Sequence, residues 1–150
     1  MKALGPAGII ILITGAGGVF KQMLVSTGAG EMLAEQFKQF DLTPLVVGYI
    51  IALIVRLVQG SATVAMITAA GIMAPIVAGL TMSDQSLALL VISIAAGASG
   101  FSHVNDSGFW LVNRYLGLSE VDTLKSWTAM TGILSVTAFV IVLLISMFVN

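Results

Sequence analysis

The chain has 150 residues, of which 58% are hydrophobic and 9% charged, with a formal net charge of −1. Soluble domains carry about 25% charged residues, so the composition defines an integral membrane protein, and it shows no basic patch for nucleic acid. The sequence has no cysteine, which excludes disulfides, thiolate chemistry and cysteine-based metal sites.

The first expected element spans residues 4–27, close to the ~20 residues that cross a bilayer. It contains Gly15-Ala-Gly-Gly18, read either as close helix packing through small residues or as a local break lining a substrate path. Lys21 near its far end can snorkel to the interface. Nothing before it has the form of a cleaved signal peptide. The chain starts almost within one apolar segment and ends within another, which suggests a fragment of a larger protein. Over 28–43, Glu31, Glu35, Lys38 and Asp41 alternate at helical spacing with Met32, Leu33, Phe37 and Phe40, the pattern of an amphipathic surface segment. Pro44 then suits the first turn of a helix.

Residues 44–80 read as a helical hairpin. Two apolar runs, Leu45–Val55 and Val64–Leu80, are parted by Arg56-Leu-Val-Gln-Gly-Ser-Ala-Thr63. A first run of about 11 residues is short for a span and more often re-entrant or buried, so the hairpin is expected to dip into the membrane and turn at Gln59-Gly60-Ser61. Two full spans joined at the far surface remain the alternative, with Arg56 an interfacial cation. In the re-entrant case Arg56 lies one turn before the tip and needs an anionic partner, while Ser61 and Thr63 offer hydroxyls and the tip offers free amides.

After a polar connector at Thr81–Gln85, with Ser83 or Asp84 as helix cap, residues 86–115 read as a broken helix. Gly97, Gly100 and Gly108 argue against one continuous helix, and Ser99, Ser102, His103, Asn105, Asp106 and Ser107 lie between or beside them. Insertion scales put Asp near the centre of a spanning helix at roughly +3 kcal/mol, and irregular polar backbone at that depth is tolerated only where protein or a cavity surrounds it. Leu116–Leu124 reads as a polar loop, and 125–149 as a conventional span entered at Trp127, as interfacial belts prefer. Lys2, Arg114 and Lys125 on one face against Lys38 on the other place loop 116–124 in the cytoplasm.

Six of the seven acids fall in connectors or surface segments, which leaves Asp106 as the carboxylate at membrane depth. Desolvation favours its neutral form and a nearby cation its charge, so it could exchange a proton, and His103 could relay it. The plainer readings are a helix cap for Asp106 and a satisfied hydrogen-bond partner for His103. Neither polar stretch has metal-ligand spacing, a P-loop or a nucleophile elbow, so no cofactor is expected. A hydrolase built on Ser, His103 and Asp106 has only the residue inventory in its favour, and the chain is expected not to be an enzyme.

Gly15-Ala-Gly-Gly-Val-Phe-Lys-Gln-Met-Leu24, Arg56-Leu-Val-Gln-Gly-Ser-Ala-Thr-Val-Ala65, Gly100-Phe-Ser-His-Val-Asn-Asp-Ser-Gly-Phe-Trp110 and Lys125-Ser-Trp-Thr128 resemble the gluconate permease family of sugar-acid:proton symporters. Members of that family are much longer, and the likeness is to their C-terminal part. The resemblance implies an all-α membrane protein that is one part of an inverted-repeat transporter, with spanning helices, a re-entrant hairpin and a discontinuous helix whose tips meet at substrate. It implies a multi-pass location in the bacterial inner membrane, with a gluconate-like acid, protons, lipid and a missing N-terminal repeat as partners, and leaves a homo-oligomer open. Without that repeat this chain alone is not expected to transport. By resemblance, Gln59, Gly60, Ser61 and Thr63 at the hairpin tip and Ser102, His103, Asn105 and Ser107 in the break would line the site. Arg56 would balance the substrate or Asp106, and Asp106 would couple protons. A channel or structural membrane subunit, using the polar break only to pack helices, is the competing reading.

Overall fold

The computed structural model describes residues 43–149, together with positions 19, 22, 23, 26, 27 and 32. The expected span at 4–27 and surface segment at 28–43 lie outside the described residues, apart from those single positions and Thr43. Among the described residues every regular element is helical.

Local chemistry sets the start and stop of each helix. α1 (Pro44–Gln59) begins with Pro at its first position, and the Thr43 hydroxyl accepts from the Val46 amide. It ends at Gly60, which sits at φ +75° and donates its N–H to the Arg56 carbonyl at 2.8 Å. That left-handed conformation is the usual glycine stop. Ser61 caps α2 (Ala62–Ala78) at once, so the turn between them is only two residues long. Pro75 lies inside α2. Ser83 caps α3 (Asp84–Ser99), which stops at Gly100. Residues 100–106 are not helical. Asp106 caps α4 (Ser107–Leu116) by accepting from the Gly108 amide at 3.0 Å, and Gly117 at φ +63° ends it.

The connector after α4 is shorter than the sequence reading gave it. Residues 120–124 are helical rather than part of a polar loop, because Ser119 accepts from the Asp122 amide at 3.1 Å and its hydroxyl donates to the Asp122 carboxylate at 2.6 Å. This is a capping arrangement that starts a helix early. α5 therefore runs Glu120–Val149, with a π-helical turn at Leu124–Thr128. It is the one helix among the described residues long and apolar enough to cross a membrane, whereas α1, α2 and α3 are apolar but shorter.

α1 packs chiefly on α3 and on α2, and α3 also packs on α5. Ala52, Ala65, Ala69, Ala98, Met73 and Ile76 fill the core. α1 and α3 approach closely enough that a Cβ on Gly97 would lie 2.4 Å from the Tyr49 carbonyl oxygen, the small-residue packing that membrane helices use. The serines in this core are paired. The Ser93 hydroxyl donates to the Leu45 carbonyl at 2.7 Å, and Ser135 donates to the Ala96 carbonyl at 2.8 Å while accepting from the Tyr49 hydroxyl at 3.0 Å. Outward faces carry Ile54, Val58, Ile133, Leu134, Leu144 and Phe148 exposed, as surfaces facing lipid do.

Candidate functional site

The end of α1 and the residues between α3 and α4 meet directly. A Cβ on Gly60 would fall 2.2 Å from the Asn105 backbone oxygen, so no other residue could let the two backbones come this close. Asn105 answers with its side chain. Its Nδ2 donates to the Leu57 carbonyl at 2.9 Å and to the Val58 carbonyl at 3.4 Å, satisfying groups that the last turn of any helix leaves open.

At this junction Arg56 forms an ion pair with Asp106, and both side chains are withdrawn from solvent, at 5% and 13% exposure. One Arg56 nitrogen donates to Asp106 and another to the Gly60 carbonyl, so a single side chain ties the turn to the break. Arg56 Nε is buried with no hydrogen-bond partner among the described residues. Asp106 also accepts from the Ser102 hydroxyl and from the Gly108 amide. A carboxylate with three donors and a cation with one nitrogen unmet make an unequal pair.

Ser102 is 2% exposed and links the pair to α5. Its Oγ accepts from Trp127 Nε1 at 2.9 Å, its amide donates to Thr131 Oγ1 at 3.0 Å, and its carbonyl accepts from the Thr128 hydroxyl. Trp127 and Thr128 lie in the π turn, a local widening that frequently occurs at functional sites.

The remaining residues singled out from sequence have smaller parts in this geometry. Ser61 caps α2. Gln59 and Thr63 are exposed beside the turn, and Ser107 is exposed in the first turn of α4. His103 Nδ1 donates to the Phe101 carbonyl at 2.9 Å. Trp127, Thr128 and Thr131 were not singled out for the site. The available signal was a polar stripe at helical spacing, with Thr128, Thr131 and Ser135 on one side of an otherwise apolar helix.

A largely buried Arg–Asp pair therefore sits where the turn after α1 meets the break before α4. Comparison with known proteins identifies the class. Residues 1–148 match the family described as GntP family permease, and the chain belongs to that family of membrane transporters, not to an enzyme family. It is 46% identical to the low-affinity gluconate transporter of Escherichia coli K12 over 139 residues, which is 93% of this chain and 31% of that relative. It is 47% identical to the inner membrane permease YgbN of the same strain over 140 residues, 93% of this chain and 30% of the relative. It is 42% identical to the gluconate permease of Bacillus subtilis 168 over 147 residues, 98% of this chain and 32% of the relative. The chain thus spans about a third of the length of these relatives. No solved structure matches it.

Proposed function

We propose that this chain is the C-terminal part of a secondary transporter that imports gluconate or a related sugar acid with protons across the bacterial inner membrane. Relatives named as gluconate transporters and permeases support the substrate class. The buried Arg56–Asp106 pair is the observation that carries the rest. Protonating Asp106 would remove the charge that Arg56 is paired with and leave a buried cation. The carboxylate of a sugar acid could then take that place. Proton and anion would enter together, and the site would keep zero net charge through the exchange. Each alone would leave an uncompensated buried charge, which costs several kcal/mol. That mutual dependence is what coupling requires.

The architecture we infer is a membrane-dipping hairpin, α1 and α2, facing a discontinuous helix, α3 and α4, in one of two inverted repeats. α1 with 16 residues and α2 with 17 are about 24 and 26 Å long at 1.5 Å per residue. Both fall short of a hydrocarbon core of about 30 Å, which favours arms that enter and return over two full spans. Half-helix ends presented to an anion near mid-membrane are a recurrent transporter design.

The test uses the intact permease in proteoliposomes. Asp106→Asn should abolish accumulation of labelled gluconate driven by a proton gradient, yet retain counterflow of gluconate. Unchanged proton-driven accumulation removes Asp106 from coupling. If Ser61→Ala, Asn105→Ala and Asp106→Ala only lower the amount of assembled protein and leave acid preference untouched, the polar junction is a packing device.

A further inference from the structure

We propose that Trp127, carried on the π turn of α5, is a positioning residue for the Arg56–Asp106 pair and acts through Ser102. The inference rests on the transport reading above and adds to it a part of the site on a different helix.

The argument starts from Ser102. It is almost fully buried, and all of its polar groups are engaged. Its amide and carbonyl are held by Thr131 and Thr128, which fixes the backbone against α5. The backbone just before it is held as well. Phe101 sits at φ +46°, the left-handed region that a bulky residue rarely enters, and its ring lies so close over α5 that a Cβ on Gly132 would be 2.6 Å from it. With the backbone fixed, χ1 and the hydroxyl rotor are the remaining freedoms, and the two bonds at Oγ act on both. A serine hydroxyl can donate or accept, whereas the indole N–H can only donate. Trp127 Nε1 therefore occupies the oxygen from one side and turns the hydroxyl proton away from itself. The partner on the other side is the Asp106 carboxylate oxygen that also receives Arg56. The indole thus sets the direction of a hydrogen bond that it does not itself make.

The π turn makes this reach available. Thr131 and Ser135 follow each other at ordinary helical spacing and hold the break and the end of α3. Trp127 and Thr128 lie within the widened turn and still face Ser102. A π turn is commonly a local insertion within an α-helix, and here it falls where the helix must present two successive side chains to one serine.

The experiment is a double-mutant cycle in the intact permease, read as the concentration dependence of gluconate uptake. Trp127→Phe keeps an aromatic ring but loses the N–H together with the five-membered ring that carries it. It should raise the apparent KM for gluconate by about 3- to 10-fold, the worth of one hydrogen bond, with the amount of protein in the membrane unchanged. Ser102→Ala should raise KM by at least as much. The double variant should be no worse than Ser102→Ala alone, because Trp127 has nothing left to act on. An unchanged KM in Trp127→Phe overturns the assignment, as does a double variant whose effects multiply. Less protein in the membrane at constant KM would assign Trp127 to packing and also overturns it. Asp106→Asn in the same assay separates the two levels. If it transports normally, the transport reading fails and takes Trp127 with it. If it is defective while Trp127→Phe is silent, the failure is confined to Trp127.

Discussion

Removing the charges of Arg56 and Asp106 singly and together separates a pair that matters from two residues that merely lie close. Asp106→Asn keeps the helix cap, since Asn caps as well as Asp and its oxygen can still accept from the Gly108 amide. It deletes the charge, however, and puts an amide NH2 where the oxygen accepting from Arg56 and Ser102 stood. It leaves Arg56, at 5% exposure, with the Gly60 carbonyl as its remaining acceptor. Breaking a buried pair by removing one partner costs about 3–5 kcal/mol, and Asp106→Asn should fall in that range. Arg56→Gln should cost less, about 2–3 kcal/mol, because Asp106 keeps two donors, the Ser102 hydroxyl and the Gly108 amide. The double variant has no buried charge, but its Asn and Gln are buried amides that keep only some of their hydrogen bonds, so it should cost about 3–4 kcal/mol. Its destabilisation should therefore fall short of the sum of the singles by about 2–4 kcal/mol. The measurement is the unfolding free energy of the purified permease by SDS titration in mixed micelles. Additivity of the two singles to within about 0.5 kcal/mol, the behaviour of independent sites, would refute the reasoning and with it the claim that the two charges balance each other.

Two further substitutions probe the scaffold in the same titration. Gly60→Ala should destabilise by about 3 kcal/mol or more, combining a left-handed backbone with a Cβ 2.2 Å from the Asn105 backbone oxygen, and should abolish uptake; wild-type stability would mean that turn and break do not meet. Tyr49→Phe should cost about 1 kcal/mol, because it loses the 3.0 Å hydrogen bond to Ser135 but keeps the stack on Phe139 at 4.0 Å, and it should leave uptake intact.

Class and family were legible because they depend on composition and on contiguous motifs. Helix ends were legible where a side chain caps its own neighbour, as at Ser83 and Asp106. The early start of α5 is not legible in sequence, because Ser119 and Asp122 look like loop residues until their reciprocal bonds are drawn. The pairing of Arg56 with Asp106 joins positions 50 residues apart, and no local pattern encodes it. The sequence reading reaches it as one of two partners for Arg56, because Asp106 is the carboxylate left at membrane depth and the family resemblance brings turn and break together. By its place at the entrance of an apolar run, Trp127 reads as an interfacial anchor. Its actual partner, Ser102, lies 25 residues away on the break, and only the packing of α5 against α3 brings them together.

The choice between a transport site and a packing device turns on what each would need from this junction. Irregular backbone in lipid must have its N–H and C=O groups met, and most of the polar residues here do that work. His103 serves the Phe101 carbonyl, Trp110 the Val104 carbonyl at 2.7 Å, Asn105 the end of α1, and Thr128 and Thr131 the backbone of Ser102. All of this is neutral chemistry, done by amides, hydroxyls and ring N–H groups. A device for holding helices together needs nothing more. Arg56 and Asp106 are different, because charges are costly to desolvate and a buried ion pair is often no more stable than a neutral or apolar replacement. Stability therefore gives no reason to keep them. The proposed transport of an anion with a proton would use both, a cation that can change partners and a carboxylate that can give up its charge, and that is the role proposed for the pair where the turn meets the break.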